Sequence, residues 1–199
     1  MSRITVRKGI DELIREGLLF RKQGSGTFVA KRIEAPVSEL SSFSDDAKAR
    51  GEDSAVIWII KTYALPTEDE ANALGIPASI EVVRLGRVRL SGGEPLAIEH
   101  AVVPAKFLPD LSAVKGSLYE ALTANGAKPV SGTQRIRAAL ATPTEAGILC
   151  IEEKAEILRI ERSSKSEDGE ILEYTRSAYR GDRYDFVSQL VVGAGGNPR

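Results

Sequence analysis

The sequence predicts an α+β fold: an antiparallel sheet with flanking helices, preceded by a separate helix and a two-stranded ribbon. Three observations carry this. After residue 55 the apolar runs have strand length and are joined mostly by hairpin signals, Ser91-Gly92-Gly93-Glu94 and Asp168-Gly169. Between them stand short segments with helix-start signatures: Thr67 with Glu70, Ser117 with Glu120, and Thr142 before Pro143. Ahead of both, the chain from Ser2 to Ala30 switches from helical to strand periodicity around Gly17.

Composition narrows the class. A length of 199 residues suits one or two domains, and 42% hydrophobic with 28% charged residues is ordinary for a globular protein. No apolar run is long enough to span a membrane and no secretory leader is visible, so no membrane partner is expected. Cys150 is the only cysteine, which precludes an intramolecular disulfide and makes a reducing cytoplasm the expected compartment. His100 is the only histidine, fifty residues from that cysteine, so there is no metal-ligand spacing and neither metal nor cofactor is expected. No nucleophile elbow, P-loop or Rossmann glycine pattern is present, which weighs against an enzyme.

The first element is predicted as a helix capped by Ser2, with Val6, Ile10, Leu13 and Ile14 on one face and Gly17 at its C-terminal end. Leu18–Lys22 and Thr27–Ala30 then flank Gln23-Gly24-Ser25-Gly26 as a hairpin. Helix followed by hairpin is the second half of a winged helix-turn-helix, the helix lying in the major groove and the hairpin forming the wing. An amphipathic helix and hairpin with no partner would look similar, but the charge distribution favours DNA. Residues 1–32 hold eight Lys/Arg and three Asp/Glu, net +5, whereas the remainder holds 19 and 25, net −6. Arg3, Arg7 and Lys8 crowd the first helical turns, and Arg21, Lys22 and Gln23 stand at the wing.

The stretch SRITVRKGIDELIREGLLFRKQGSGTFVA resembles the recognition helix and wing of the GntR family of bacterial transcription regulators. Its S-R-x-T-V-R start, E-G-L-L turn and Q-G-x-G-T-F-V wing carry the likeness. The chain beyond the wing resembles the HutC subfamily, whose effector domain is the UTRA domain of chorismate-lyase-like fold. The resemblance implies operator contacts from Ser2, Arg3, Thr5, Arg7 and Lys8 on the helix and from Gln23, Gly24, Ser25, Gly26 and Thr27 on the wing. Members of that family carry about two more helices ahead of this one. The DNA-binding unit, residues 1–31, is therefore expected to be partial, and to bind DNA less well than a complete one.

Residues 32–40 lack periodicity and contain a proline, so they read as a linker to an effector domain over 41–193, with a glycine-rich tail at 194–199. In the first loop of that domain, Ser42, Phe43 and Ser44 precede a short helical run; simple capping would explain the serines, and the resemblance makes them effector ligands. Val56–Leu65 reads as a strand, and the Thr67–Gly75 segment as a helix. Ile80–Leu90 carries the best ligand signal, because Arg87 and Arg89 project from the same strand face as Val83 and Leu85. Two guanidiniums on a partly apolar face need an anionic partner, either Glu99 on the next strand or a ligand.

Register decides between these. A two-residue Gly92-Gly93 loop pairs Arg87 with Ile98 and turns Glu99 away; an odd loop, or a bulge, pairs Arg87 with Glu99. After Leu96–Val103, Ser117 reads as the cap of a helix containing Tyr119 and closed by Asn125-Gly126. Thr133–Ala141 is a strand, and Thr142-Pro143 starts a helix. Ala155–Ser166 and Glu170–Arg180 form a hairpin, the second strand aligning Glu173, Thr175, Ser177 and Tyr179, and a final strand runs from Tyr184 through Val192. By resemblance, Arg87, Arg89, Glu99, Ser117, Tyr119, Glu173 and Tyr179 line the effector pocket. The function implied is a homodimeric repressor of operator DNA that responds to a small anionic effector, a sugar phosphate first. A chorismate-lyase-like enzyme and a ligand-free dimerisation module are the alternatives.

Overall fold

The structure is a computed structural model that describes residues 2–16, 18–22, 26–29, 32–36, 40, 43–44, 47, 51 and 53–188. Helix α1, Arg3–Arg15, starts at Ser2, whose hydroxyl accepts from the Ile4 amide at 3.2 Å. Strands β1, Leu19–Lys22, and β2, Gly26–Val29, pair antiparallel as the ribbon, and Arg21 reaches back to Asp11 of α1 at 2.8 Å. The expected apolar face of α1 is largely uncovered: no residue of the helix is buried, and Val6 and Leu13 are 46% and 38% exposed. Among the described elements α1 packs chiefly on the narrow β1–β2 ribbon, which is too small to bury a helix face.

Six strands make the main sheet: β4, Ser54–Ala64; β5, Val82–Ser91; β6, Glu94–Pro104; β7, Ser131–Leu140; β8, Glu156–Lys165; and β9, Ile171–Arg180. Their order is β4-β5-β6-β9-β8-β7, and every neighbouring pair is antiparallel. Gly92 and Gly93, with φ of +56° and +80°, make a two-residue turn that needs positive φ at both positions. Leu90 accordingly faces Pro95, but Arg89 faces Ala97, so Leu96 is an extra residue in β6. This bulge shifts the register by one and sets Arg87 opposite Glu99.

Three short helices pack on the sheet. α2, Glu68–Leu74, carries the Thr67/Glu70 capping box and ends at a left-handed Gly75. α3, Leu118–Ala124, is capped by Ser117, which accepts from the Glu120 amide at 3.2 Å, one half of the expected box. α4, Pro143–Leu149, has the full Thr142/Glu145 box with proline at its first position. α2 and α4 cover one sheet face through Leu74 with Val82 and Val102, and through Leu149 with Ile98 and Ala178. On the other face, Leu118, Ala121 and Leu122 of α3 pack on Val83, Leu85, Ala101 and Val103.

A second cluster on that other face joins Ile33, Phe43, Leu96, Ala97, Tyr179 and Tyr184. Part of it comes from the stretch expected to be linker. Ile33–Pro36 is strand β3, paired in parallel with β10, Tyr184–Val187, and Arg32 bonds Asp185 at 2.6 Å. Two four-residue strands about 150 positions apart leave no local signature, whereas burying Ile33 and Tyr184 together rewards the pairing. The last strand ends at Val187, short of the expected end at Val192: Ser188 is no longer strand, and 189–192 lie outside the described residues, as do Gly17 and the tail.

Candidate functional site

The site lies between the two apolar clusters of the α3 face. Alternation and register build it as cross-strand rows: Arg87, Glu99, Ser177 and Ile160 stand in one, and Leu85, Ala101, Thr175 and Arg162 in the next. Glu173 and Tyr179 follow at either end of the same face of β9. The resulting cleft is lined by Arg87, Glu99, Leu118, Tyr119, Ile160, Arg162, Glu173, Thr175, Ser177 and Tyr179, and its free volume is about 30 Å³.

Its polar groups hold one another. Arg87 Nε donates to Glu99 Oε2 at 2.8 Å, and Arg89 Nε stands 3.3 Å from the same oxygen. The Tyr179 hydroxyl donates to Glu99 Oε1 at 3.1 Å. Arg87 Nη1 and Arg89 Nη1 both donate to the Gly116 carbonyl, at 2.8 and 3.0 Å. Arg89 is 1% exposed, lies over the Phe43 ring at 4.7 Å, and donates from Nη2 to Ser44 Oγ at 3.1 Å. At the other end the Tyr119 hydroxyl donates to Glu173 Oε1 at 2.7 Å, and Thr175 Oγ1 donates to Glu173 Oε2 at 2.5 Å.

Arg89, Phe43, Ser44 and Ser117 thus stand behind the cleft wall, tied to it through Glu99 and Gly116, while Ser42 lies outside the described residues. Arg162 is a lining residue absent from those expected on sequence. Its Nε and Nη2 donate to Gln134 Oε1 at 2.9 and 2.5 Å, and it also bonds the Tyr119 hydroxyl. Alternation on β8 could have found it: reading Asp168-Gly169 as a two-residue turn puts Arg162 opposite Thr175, the pairing observed, although the strands reach it through a register shift between Ser164 and Lys165. A roomier cavity of about 410 Å³ lies on the opposite sheet face against α4. Its Arg159 and Glu145 are already bonded to each other at 2.6 and 2.9 Å, so it offers less reason for an anion to bind.

Burial by itself pushes the Glu99 carboxyl up, but the Arg87 and Arg89 guanidiniums and the Tyr179 hydroxyl outweigh it and bring it down to about 2. Burial and the like charge of Arg87 lower the Arg89 value, against the pull of Glu99. Burial and neighbouring carboxylates push both phenols up, Tyr119 beside Glu173 and Tyr179 beside Glu99, so they act as hydrogen-bond donors. Because the folded Glu99 value is depressed, its stabilisation is present above the unfolded value near 4.5 and disappears as pH falls toward about 2. Acid titration of folding is expected to lose roughly 3 kcal/mol across that window through Glu99. A Glu99→Gln variant, followed by circular dichroism, should lack this component.

At the N-terminal end, Ser2 caps α1, and Arg3, Thr5, Arg7 and Lys8 are exposed on its first two turns. Gly26 and Thr27 are exposed on β2, and Gln23, Gly24 and Ser25 lie outside the described residues. A basic helix and ribbon joined to a domain with a polar, arginine-lined cleft define a transcription regulator with a sensory domain. The comparisons make this specific. The UTRA domain family matches residues 49–185, so the chain belongs to the UTRA family, the effector domain of GntR-type regulators of the HutC class. It is 36% identical to the HTH-type transcriptional repressor NagR of Bacillus subtilis, over 96% of this chain and 80% of that protein. It is 29% identical to the HTH-type transcriptional regulator GgaR of Escherichia coli K12, over 95% and 76%. The crystal structure of PhnF from Mycobacterium smegmatis superposes with a TM-score of 0.76 at 29% identity, covering 98% of this chain and 87% of that one. The protein is a DNA-binding regulator and not an enzyme, as its relatives are. Among the described residues no helix is long and apolar enough to cross a membrane.

Proposed function

We propose that this regulator is a homodimeric repressor whose effector is a small anion, a sugar phosphate above all, bound where Arg87 and Arg89 converge. One observation carries the reading: two buried guanidiniums, 5% and 1% exposed, share a single buried carboxylate, Glu99. Among the described residues one buried positive charge has no carboxylate of its own, an arrangement that is costly unless an anion completes it. Arg89 Nε supports the same conclusion, since it is buried and has no hydrogen-bond partner among the described residues. A phosphoryl group supplies both charge and several acceptors. Glu173, Tyr119, Thr175 and Arg162 then offer donors and acceptors to hydroxyls on the rest of the ligand.

Ser44 links this pocket to the chain just after the DNA-binding end, and the β3–β10 pairing anchors that chain beside Tyr179. An effector that binds two conformations unequally shifts the orientation of the N-terminal unit through those contacts. The test is operator affinity, read by fluorescence anisotropy on the regulated promoter. A phosphorylated metabolite should weaken it by about 5–150-fold, the usual size of such coupling, while its dephosphorylated counterpart does nothing. Equal effects from both would refute an anion-driven effector.

Two further expectations concern the DNA end. Arg3→Ala or Arg7→Ala should cost about 1–3 kcal/mol of operator binding if a base contact is lost, or reduce the salt dependence if a phosphate contact is lost. Effector binding should be untouched; unchanged operator affinity and salt slope would refute α1 as the recognition helix. Two-fold operators with half-sites ~34–36 Å apart, or a multiple, call for a two-fold protein. Light scattering at micromolar concentration should therefore give twice the chain mass of 21.4 kDa, and a monomer would count against the dimer.

A further inference from the structure

The cleft is closed to a sugar-sized ligand. A free volume of about 30 Å³ accommodates an ordered water, whereas pockets for such ligands run to roughly 300–1,000 Å³. A wall must therefore part, and the polar contacts across the cleft show which. Arg87 Nη1 and Arg89 Nη1 converge on one backbone oxygen, that of Gly116, at 2.8 and 3.0 Å. That oxygen sits where the oxygens of an anion would meet both guanidiniums.

We propose that the Gly116 carbonyl is a built-in occupant of the anion site, and that a phosphate-type ligand enters by displacing it as the Gly116–Ser117 peptide turns over. This rests on the anion-pocket reading and adds how the pocket is kept closed. The carbonyl is a poor match for its position. It brings a neutral dipole to two buried cations that share one carboxylate, and leaves Arg89 Nε without a hydrogen bond. An oxyanion brings charge and more acceptors to the same donors.

Position 116 is also suited to turning. A Cβ there would meet nothing within 4 Å, so glycine is not required for packing, and its backbone freedom makes rotation cheap. Rotation replaces an inward acceptor with the inward N–H of Ser117. Ser117 caps α3, whose Leu118 and Tyr119 form one wall of the cleft, so the same movement shifts that wall. The carbonyl therefore acts as a latch: closed on the arginines without ligand, and released only by a group that outcompetes it on both. Carboxylates, with two oxygens and one charge, open it less well than phosphate or phosphate esters.

Isotope labelling can isolate this one peptide. The sequence has two Gly–Ser bonds, Gly24–Ser25 and Gly116–Ser117, so glycine labelled with ¹³C at the carbonyl and serine labelled with ¹⁵N give two correlations. Ser25→Ala removes the first and assigns the second. Glucose 6-phosphate and inorganic phosphate are the probes, with melting temperature recorded in parallel. The expected result is that each raises the melting temperature and moves the Gly116 carbonyl resonance upfield, as a carbonyl losing two donors does. Gly116→Ala, which fits without a clash, should keep the melting temperature but raise the dissociation constant of both probes several-fold. Stabilisation by the probes with the Gly116 resonance unmoved would overturn the latch and leave the pocket standing. No stabilisation of the unsubstituted chain by either probe would overturn the pocket reading, and the latch with it.

Discussion

Glu99→Gln is expected to cost roughly 3–5 kcal/mol of folding stability, the range for removing one partner of a buried ion pair. In a chain of this size that corresponds to a fall of about 6–20 °C in melting temperature. Glu99 is 6% exposed and, among the described residues, is the one buried carboxylate beside both Arg87 and Arg89. Glutamine keeps the shape and an acceptor for the Tyr179 hydroxyl, so the loss is one of charge rather than of packing. Among the described residues the two guanidiniums would then have the Gly116 carbonyl, Ser44 and the Phe43 and Trp58 rings, but no carboxylate. Phosphate or sulfate should restore more stability to this variant than to the unsubstituted protein, because each supplies the missing counter-charge. Differential scanning calorimetry reads both effects. A variant as stable as the parent, with no greater response to anions, would mean that Glu99 does not balance the arginines.

Arg87→Ala should do the reverse. It removes one of two cations facing one carboxylate, so charge balance improves while the bonds to Glu99 and Gly116 are lost. Arg87 borders the cleft, so water can fill the space it leaves. Stability is therefore expected to fall much less than for Glu99→Gln. Effector affinity should fall by about a hundredfold or more, since bonds from a cation to a phosphate contribute about 1.5–3 kcal/mol each. The pair of variants separates binding from folding: one is unstable yet responsive to anions, and the other stable yet unresponsive. Calorimetric titration of Arg87→Ala with the effector at unchanged affinity would remove Arg87 from the site.

The sequence made the strands, the capped helices and the arginine pair legible, because each depends on periodicity or on residues within four positions of one another. Thr67 with Glu70 and Thr142 with Glu145 close their boxes in the structure. The opposition of Arg87 and Glu99 was legible only as a condition. The turn is the two-residue Gly92-Gly93 form, which alone would have turned Glu99 away, and the Leu96 bulge restores the register. A bulge has no side-chain signature there, since Leu96 is one more apolar residue in an apolar run.

The β3–β10 ribbon was hidden for a different reason, its two short strands lying at opposite ends of the chain. Arg162 could be placed on a face by alternation, but its part in the cleft depends on Gln134 and Tyr119 arriving from β7 and α3. The Gly116 carbonyl could not have been read at all: residue types say nothing about where a single backbone oxygen comes to rest. The exposed face of α1 shows the limit of periodicity from the other side, because Val6 and Leu13 are spaced to be buried but are not.

The most direct measurement of the central claim, that a buried pair of arginines waits for an anion, compares thermal unfolding with glucose 6-phosphate and with glucose at equal concentration and ionic strength. A ligand of the native state raises the melting temperature with the logarithm of its concentration once above its dissociation constant, by about 2.7 kcal/mol of stability at one hundred times that constant. A concentration-dependent rise is expected with the phosphate ester and none with the free sugar. An equal rise with both, or a rise with glucose alone, would contradict the claim.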